Sequence, residues 1–226
     1  MINTVLFDLD GTLADSAVPA TTALNHVLIS AGYAPVSVAD VRPLFNAGAT
    51  ALFREFADVN PADREFGALR ESLFDHYSIA CQRPLVFRGV VDSMCALAAH
   101  GIRWGIVTNE RSQLATSIVA NINWGPFPPE VLICGDTLAT CKPEPDVLLE
   151  AASRLDVLPT DCVYVGDSET DVAAGRAAGM TTVLARYGYL PRNDDGSDWG
   201  ADAMIEDPGE LIAALGPCFE GLPRHD

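Results

Sequence analysis

Short unbroken apolar runs alternate along this chain with stretches whose apolar residues recur every three or four positions. The runs predict β-strands over residues 4–7, 103–107, 131–134, 162–165, 182–184 and 203–205. The first, Thr4-Val5-Leu6-Phe7, is apolar at successive positions, as a strand covered on both faces must be. Helical spacing predicts helices over 90–99, 112–122, 146–155 and 170–178; Gly101 and Gly179 follow the first and last, where glycine ends a helix. This alternation predicts an α/β architecture, a Rossmann-like parallel sheet with helices on both faces.

Between residues 16 and 83 the strand signal disappears. Helices are predicted over 21–30, from Ser37 (with Asp40 as a capping partner), over 51–57, and from Pro61. In the last of these Phe66, Leu69, Leu73, Phe74 and Tyr77 share helical spacing. The expected organisation is a core of residues 1–15 and 84–226 carrying an inserted all-helical cap over 16–83, with hinges near 14–19 and 84–89. The NDDG stretch at 193–196 reads as a surface loop.

The 226 residues are 49% apolar and 20% charged, ordinary values for a folded protein. Their 31 acids against 14 bases give a formal charge of −17. That field excludes nucleic acid and anionic membrane as partners, and taken globally it would repel an anionic substrate as well. The N-terminus shows no secretory leader, and no apolar run approaches the ~18 residues of a membrane span. A cytoplasmic protein, monomeric or homodimeric, is expected. Cys81, Cys95, Cys134, Cys141, Cys162 and Cys218 include no CxxC pair and are expected to be reduced thiols.

Chemistry concentrates where predicted strands end, the edge at which open parallel sheets bind ligands. Asp8 and Asp10 follow the first strand and face one side, with Gly11 available for a sharp turn. One carboxylate could attack as a nucleophile while the other moves a proton; the pair alone fits an inert acidic strand end equally. Asp167, after the fourth strand, and Asp171, four residues on, add a second cluster. Converging carboxylates without His or Cys suit Mg²⁺. An exposed helix-start acid is the other reading of Asp171. Thr108 and Asn109 end the second strand with groups suited to phosphate oxygens, and Lys142, the only lysine, stands in a proline-flanked loop.

These segments, FDLDGTLADS, VTN, the Lys142 loop and GDSETD, resemble in order the four motifs of the haloacid dehalogenase-like phosphohydrolases. The resemblance implies a Mg²⁺-dependent phosphatase acting on a small phosphorylated metabolite through an aspartyl-phosphate. By it, Asp8 is the nucleophile and Asp10 the acid/base. Asp8, the Asp10 carbonyl and Asp167 hold Mg²⁺, Asp171 supports them, and Thr108, Asn109 and Lys142 bind the phosphoryl group. The helical insert and YVGDSETDVAAGRAAGM look like the phosphoglycolate phosphatase branch, which implies 2-phosphoglycolate as substrate. WGIVTN and the tail around GSDWGADAMIEDPGEL look more like phosphatases of N-acetylmuramic acid 6-phosphate, the alternative; a β-phosphoglucomutase-like mutase is a further one. Both branches often carry lysine where this chain has Glu110.

Specificity is expected from the cap. Asn46, Gly48, Ala49 and Thr50 lie in a helix-opening turn able to meet an anionic part of the substrate. Arg54 and Arg83 are candidates for a substrate carboxylate, though surface arginines are the simpler reading. His26, His76, His100 and His225 fall outside every motif.

Overall fold

The computed structural model of the chain describes residues 2–216, so Cys218 and His225 lie outside the described residues. Six strands, β1 (Thr4–Phe7), β2 (Arg103–Val107), β3 (Leu132–Ile133), β4 (Cys162–Gly166), β5 (Thr181–Ala185) and β6 (Ala203–Ile205), form one sheet. Its order is β3-β2-β1-β4-β5-β6, parallel throughout. Phe7 pairs with Ile106 on one side and Val165 on the other. The chain leaves β1 toward one edge and returns at β4 toward the other, so the ends of β1, β2 and β4 flank the crevice where such sheets bind ligands.

Alternation along the strands divides the core. Val5, Phe7, Ile106, Val163 and Val165 face one layer with α5 (Val90–Ala99), α6 (Ser112–Asn121) and α9 (Leu211–Leu215). Leu6, Val107, Ile133 and Tyr164 face the other, under α7 (Asp146–Arg154) and α8 (Glu169–Ala177). Each strand is therefore apolar at successive positions.

Residues 16–83 contain helices only: α1 (Ala17–Ser30), α2 (Val38–Val41), a 3₁₀ turn (Arg42–Ala47), α3 (Gly48–Ala57) and α4 (Phe66–Ala80). They bury a cluster of their own, including Leu24, Leu28, Phe53, Phe66 and Leu73. Ser37 and Asp40 form the reciprocal capping box expected of them. The fourth helix begins at Phe66, not at Pro61; residues 60–63 form a separate turn in which Asp63 N–H donates to Asn60 O (2.9 Å) and Asp63 accepts from Asn60 N–H (2.6 Å). Two connections join this insert to the sheet. They run side by side: Asp15 N–H donates to Leu85 O (2.7 Å) and Phe87 N–H to Leu13 O (3.1 Å).

Leu24 is fully buried between α1 and its neighbours, so Leu24→Ala is expected to cost about 2–5 kcal/mol by leaving a cavity. Urea unfolding would measure it, and a loss below about 1 kcal/mol would mean that the insert collapses around the gap.

Candidate active site

Asp8 and Asp10 stand at the end of β1, where Asp8 N–H donates to Val165 O (2.8 Å) and fixes the first carboxylate against β4. Gly11 has φ +85°, and a Cβ there would fall 2.2 Å from Asp167 Oδ2. Both the turn and the close approach require glycine. Asp10 Oδ1 accepts from the hydroxyl of Ser16 at the start of the insert.

Lys142 reaches the same point from the loop before α7. Its ammonium is buried and lies 2.6 Å from Asp8 Oδ1, 2.7 Å from Asp171 Oδ1, 2.8 Å from Tyr164 Oη and 3.2 Å from Val107 O. Three hydrogens serve these four oxygens, so Tyr164 contributes as a donor in turn, toward Val107 O or Asp171. Asn109 sets this lysine. Its Nδ2 donates to Lys142 O and its Oδ1 accepts from Lys142 N–H, both at 3.0 Å. The Asn109 side-chain amide is thus committed to the lysine backbone, while the residue still lines the cavity beside Thr108. Thr108 Oγ1 accepts from Glu110 N–H (3.0 Å), which leaves its own hydrogen to donate.

Asp171 closes a capping box with Ser168 at the start of α8, its Oδ2 accepting from Ser168 N–H and Oγ. With Oδ1 engaged by Lys142 and Tyr164, it is a buried, fully used group; the exposed helix-start acid is excluded. Asp167 differs. Its Oδ2 accepts from Tyr189 N–H (2.7 Å) and Asn46 Nδ2 (3.2 Å), while Oδ1 is buried with no hydrogen-bond partner among the described residues.

That orphan oxygen tests the metal expectation. Asp8, Asp167 and Asp171 each offer an oxygen within 4.8 Å of the others. Hard carboxylate oxygens, one lacking any donor, fit a Mg²⁺ ion. Asp8 and Asp167 have capacity to ligate, whereas the Asp171 oxygens already accept from Lys142 and Ser168.

Burial dominates the electrostatics. Desolvation pushes the Asp8 carboxyl up to about 7, against the lowering effect of Lys142. It pushes Asp10 up to about 7 as well, with the charge of Glu110 adding to the rise. Asp167 is raised well above the carboxylate range by burial and by Asp171 and Asp8. Burial alone would lower Lys142, but Asp171 and Asp8 outweigh it and hold the ammonium charged.

The residues enclose a cavity of about 270 Å³ lined by Asp8, Asp10, Asn46, Thr108, Lys142 and Asp171 among others. Of the insert residues expected there, Asn46 and Gly48 line it, Ala49 lines a neighbouring cavity, and Thr50 lines neither. Arg54 is exposed and donates to Asn60, and Arg83 is exposed; neither lines this cavity or the neighbouring one. His26 and His76 stack on each other on the exposed side of the insert.

Several working residues escaped the sequence reading. Tyr164 looks like strand filling, although a tyrosine in a run buried on both faces signals a hydrogen-bonded hydroxyl. Tyr189 shares Asp15 with Arg42, donating to Asp15 Oδ1 (3.0 Å) while Arg42 pairs with Asp15 Oδ2. No spacing in the sequence relates these three residues.

A protein-family model described as haloacid dehalogenase-like hydrolase matches residues 2–179. A phosphoglycolate phosphatase of Xylella fastidiosa is 41% identical over 206 residues, 91% of this chain and 89% of the relative. An N-acetylmuramic acid 6-phosphate phosphatase of Pseudomonas aeruginosa is 34% identical over 95% of both chains. Among solved structures, a HAD family hydrolase of Deinococcus radiodurans with bound phosphate and sodium superposes with a TM-score of 0.76 at 26% identity, over 100% of this chain and 99% of that one.

Replacing Lys142 with methionine abandons two buried carboxylates and is expected to cost about 3–5 kcal/mol at pH 8. A carboxyl whose folded pKa is raised is tolerated while protonated and penalised as pH rises through that value. The deficit should therefore shrink at pH 5. Thermal unfolding at both pH values checks this, and an equal deficit at each would refute the neutralising role of the ammonium.

Proposed function

The chain belongs to the haloacid dehalogenase-like hydrolases, and from the geometry of its strand-end site we propose that it is a phosphatase of small phosphomonoesters working through an aspartyl-phosphate on Asp8. The observation that carries the reading is the buried Asp8–Lys142–Asp171 constellation beside the unpartnered Asp167 oxygen. Phosphoryl transfer asks for this: a positioned nucleophile and fixed charge around it.

An Asp8 carboxylate oxygen attacks phosphorus while the ester P–O bond breaks, and the departing alkoxide takes the proton of Asp10. A water molecule then attacks the acyl phosphate, returns a proton to Asp10 and releases inorganic phosphate from Asp8. A carboxyl pushed to about 7 supplies both protonation states near neutrality. Thr108 has a hydroxyl hydrogen for a phosphoryl oxygen, and Lys142 offsets charge on Asp8. Asp8, Asp167 and the Asp10 carbonyl would hold Mg²⁺, which when bound withdraws charge from the transferring phosphoryl group.

Residues 16–83 act as a cap hinged at the paired connections, held to the core through Asn46 on Asp167 and Arg42 on Asp15. The smallest candidate substrate is 2-phosphoglycolate, on the strength of the relative at 41% identity. A second reading, N-acetylmuramic acid 6-phosphate, is favoured by the additional cavity beside the site. Both are esters of carboxylate-bearing alcohols.

Asp8→Asn is expected to lower phosphate release on the order of 10³-fold or more with circular dichroism unchanged; retained turnover would refute the mechanism. EDTA should abolish activity, and adding Mg²⁺ should restore it and raise the melting temperature. Activity and stability both indifferent to divalent metal would remove the metal assignment.

A further inference from the structure

Beside the cavity over Asp8 lies a second one of about 250 Å³, lined largely by the helical insert. Phe45, Gly48 and Glu110 line both, so the second cavity offers space to a leaving group whose phosphate sits at Asp8. The walls are mostly apolar, with Leu52, Leu73 and Phe74 among them. The space is larger than a two-carbon alcohol needs.

Two charged side chains reach this second cavity, and they are not paired with each other. Glu110 stands at its mouth: it lines the catalytic cavity too, and its charge raises Asp10. Oε1 accepts only the adjacent Arg111 N–H (2.8 Å) among the described residues. Arg70, on α4, lines the second cavity but not the first. The Arg70 guanidinium, on the exposed side of α4, makes no hydrogen bond or ion pair with any described residue, which leaves it available to a ligand.

We propose that Arg70 and Glu110 together select the leaving group: a sugar-sized alcohol that presents a hydroxyl or amide N–H to Glu110 near the phosphate and a carboxylate to Arg70 in the second cavity. This rests on the phosphatase reading above and narrows its substrate. The order of the groups carries it. Glu110, an acceptor, lines both the catalytic cavity and the second one, whereas Arg70 lines the second and not the first. A carboxylate one carbon from the phosphate ester, as in 2-phosphoglycolate, falls at Glu110 and meets like charge. A carboxylate separated from the phosphate by a sugar ring reaches Arg70, where planar charge-assisted hydrogen bonding suits it.

The test measures phosphate release from N-acetylmuramic acid 6-phosphate, from N-acetylglucosamine 6-phosphate (the same ring without the carboxylate) and from 2-phosphoglycolate. The wild-type enzyme should favour the muramic ester over the glucosamine ester by about tenfold in kcat/KM. Arg70→Met should erase that ratio through KM, and Arg70→Lys should keep part of it. Glu110→Lys should shift the ratio of 2-phosphoglycolate to glucosamine ester upward by a similar factor. An unchanged ratio in Arg70→Met, or wild-type preference for 2-phosphoglycolate over the muramic ester, overturns the proposal. No phosphate release from these esters or from p-nitrophenyl phosphate would instead overturn the phosphatase reading itself.

Discussion

One ammonium group, that of Lys142, joins the ends of three strands. It meets Asp8 beyond β1, the Val107 carbonyl at the end of β2, Tyr164 within β4, and Asp171 at the start of α8. Without it two carboxylates would face each other in a site from which water is largely excluded, at a cost neither could carry while ionised. Asn109 holds the lysine by two backbone hydrogen bonds, so the loop is located as firmly as the charge. The rest of the site is arranged around that neutralised centre.

Asp171 shows how fold and site share residues. The same carboxylate caps α8 through Ser168 and receives the ammonium, so the helix start and the active centre cannot move independently. Asp167 performs a comparable service toward the insert, accepting from Asn46 on one side and Tyr189 on the other while its second oxygen stays unpartnered. The insert therefore touches the reacting region directly.

Charge has opposite meanings at two scales. Across the whole chain the formal value of −17 argues against anionic ligands, and the seven acids between Asp194 and Glu210 enlarge it. Several of those acids are spent structurally: Asp202 accepts from Thr182, Asp194 from Trp199, and Glu206 meets Arg186. Within the cavity, burial replaces screening by water, and a single lysine outweighs a distant surface field.

The strands were legible because burial on both faces leaves an unmistakable mark, consecutive apolar residues, and their observed limits differ from the expected ones by a residue or two. Asp8, Asp10, Asp167 and Lys142 were legible because acids or a lone lysine at predicted strand ends have few structural reasons to be there. The start of the fourth helix was not, since Asp63 turns the chain by a hydrogen bond that proline signals do not encode. The role of Asn109 was not, since its partner lies thirty-three positions away. Arg70 reads in sequence as one more polar residue on an amphipathic helix, and only the packing of α4 over Glu110 gives it a cavity to face. Local pattern thus determined the elements and the chemistry at their ends, because both depend on neighbours along the chain. Which amide clamps which lysine, and which arginine comes to line a cavity, was decided by tertiary structure, because those are properties of groups brought together from far apart.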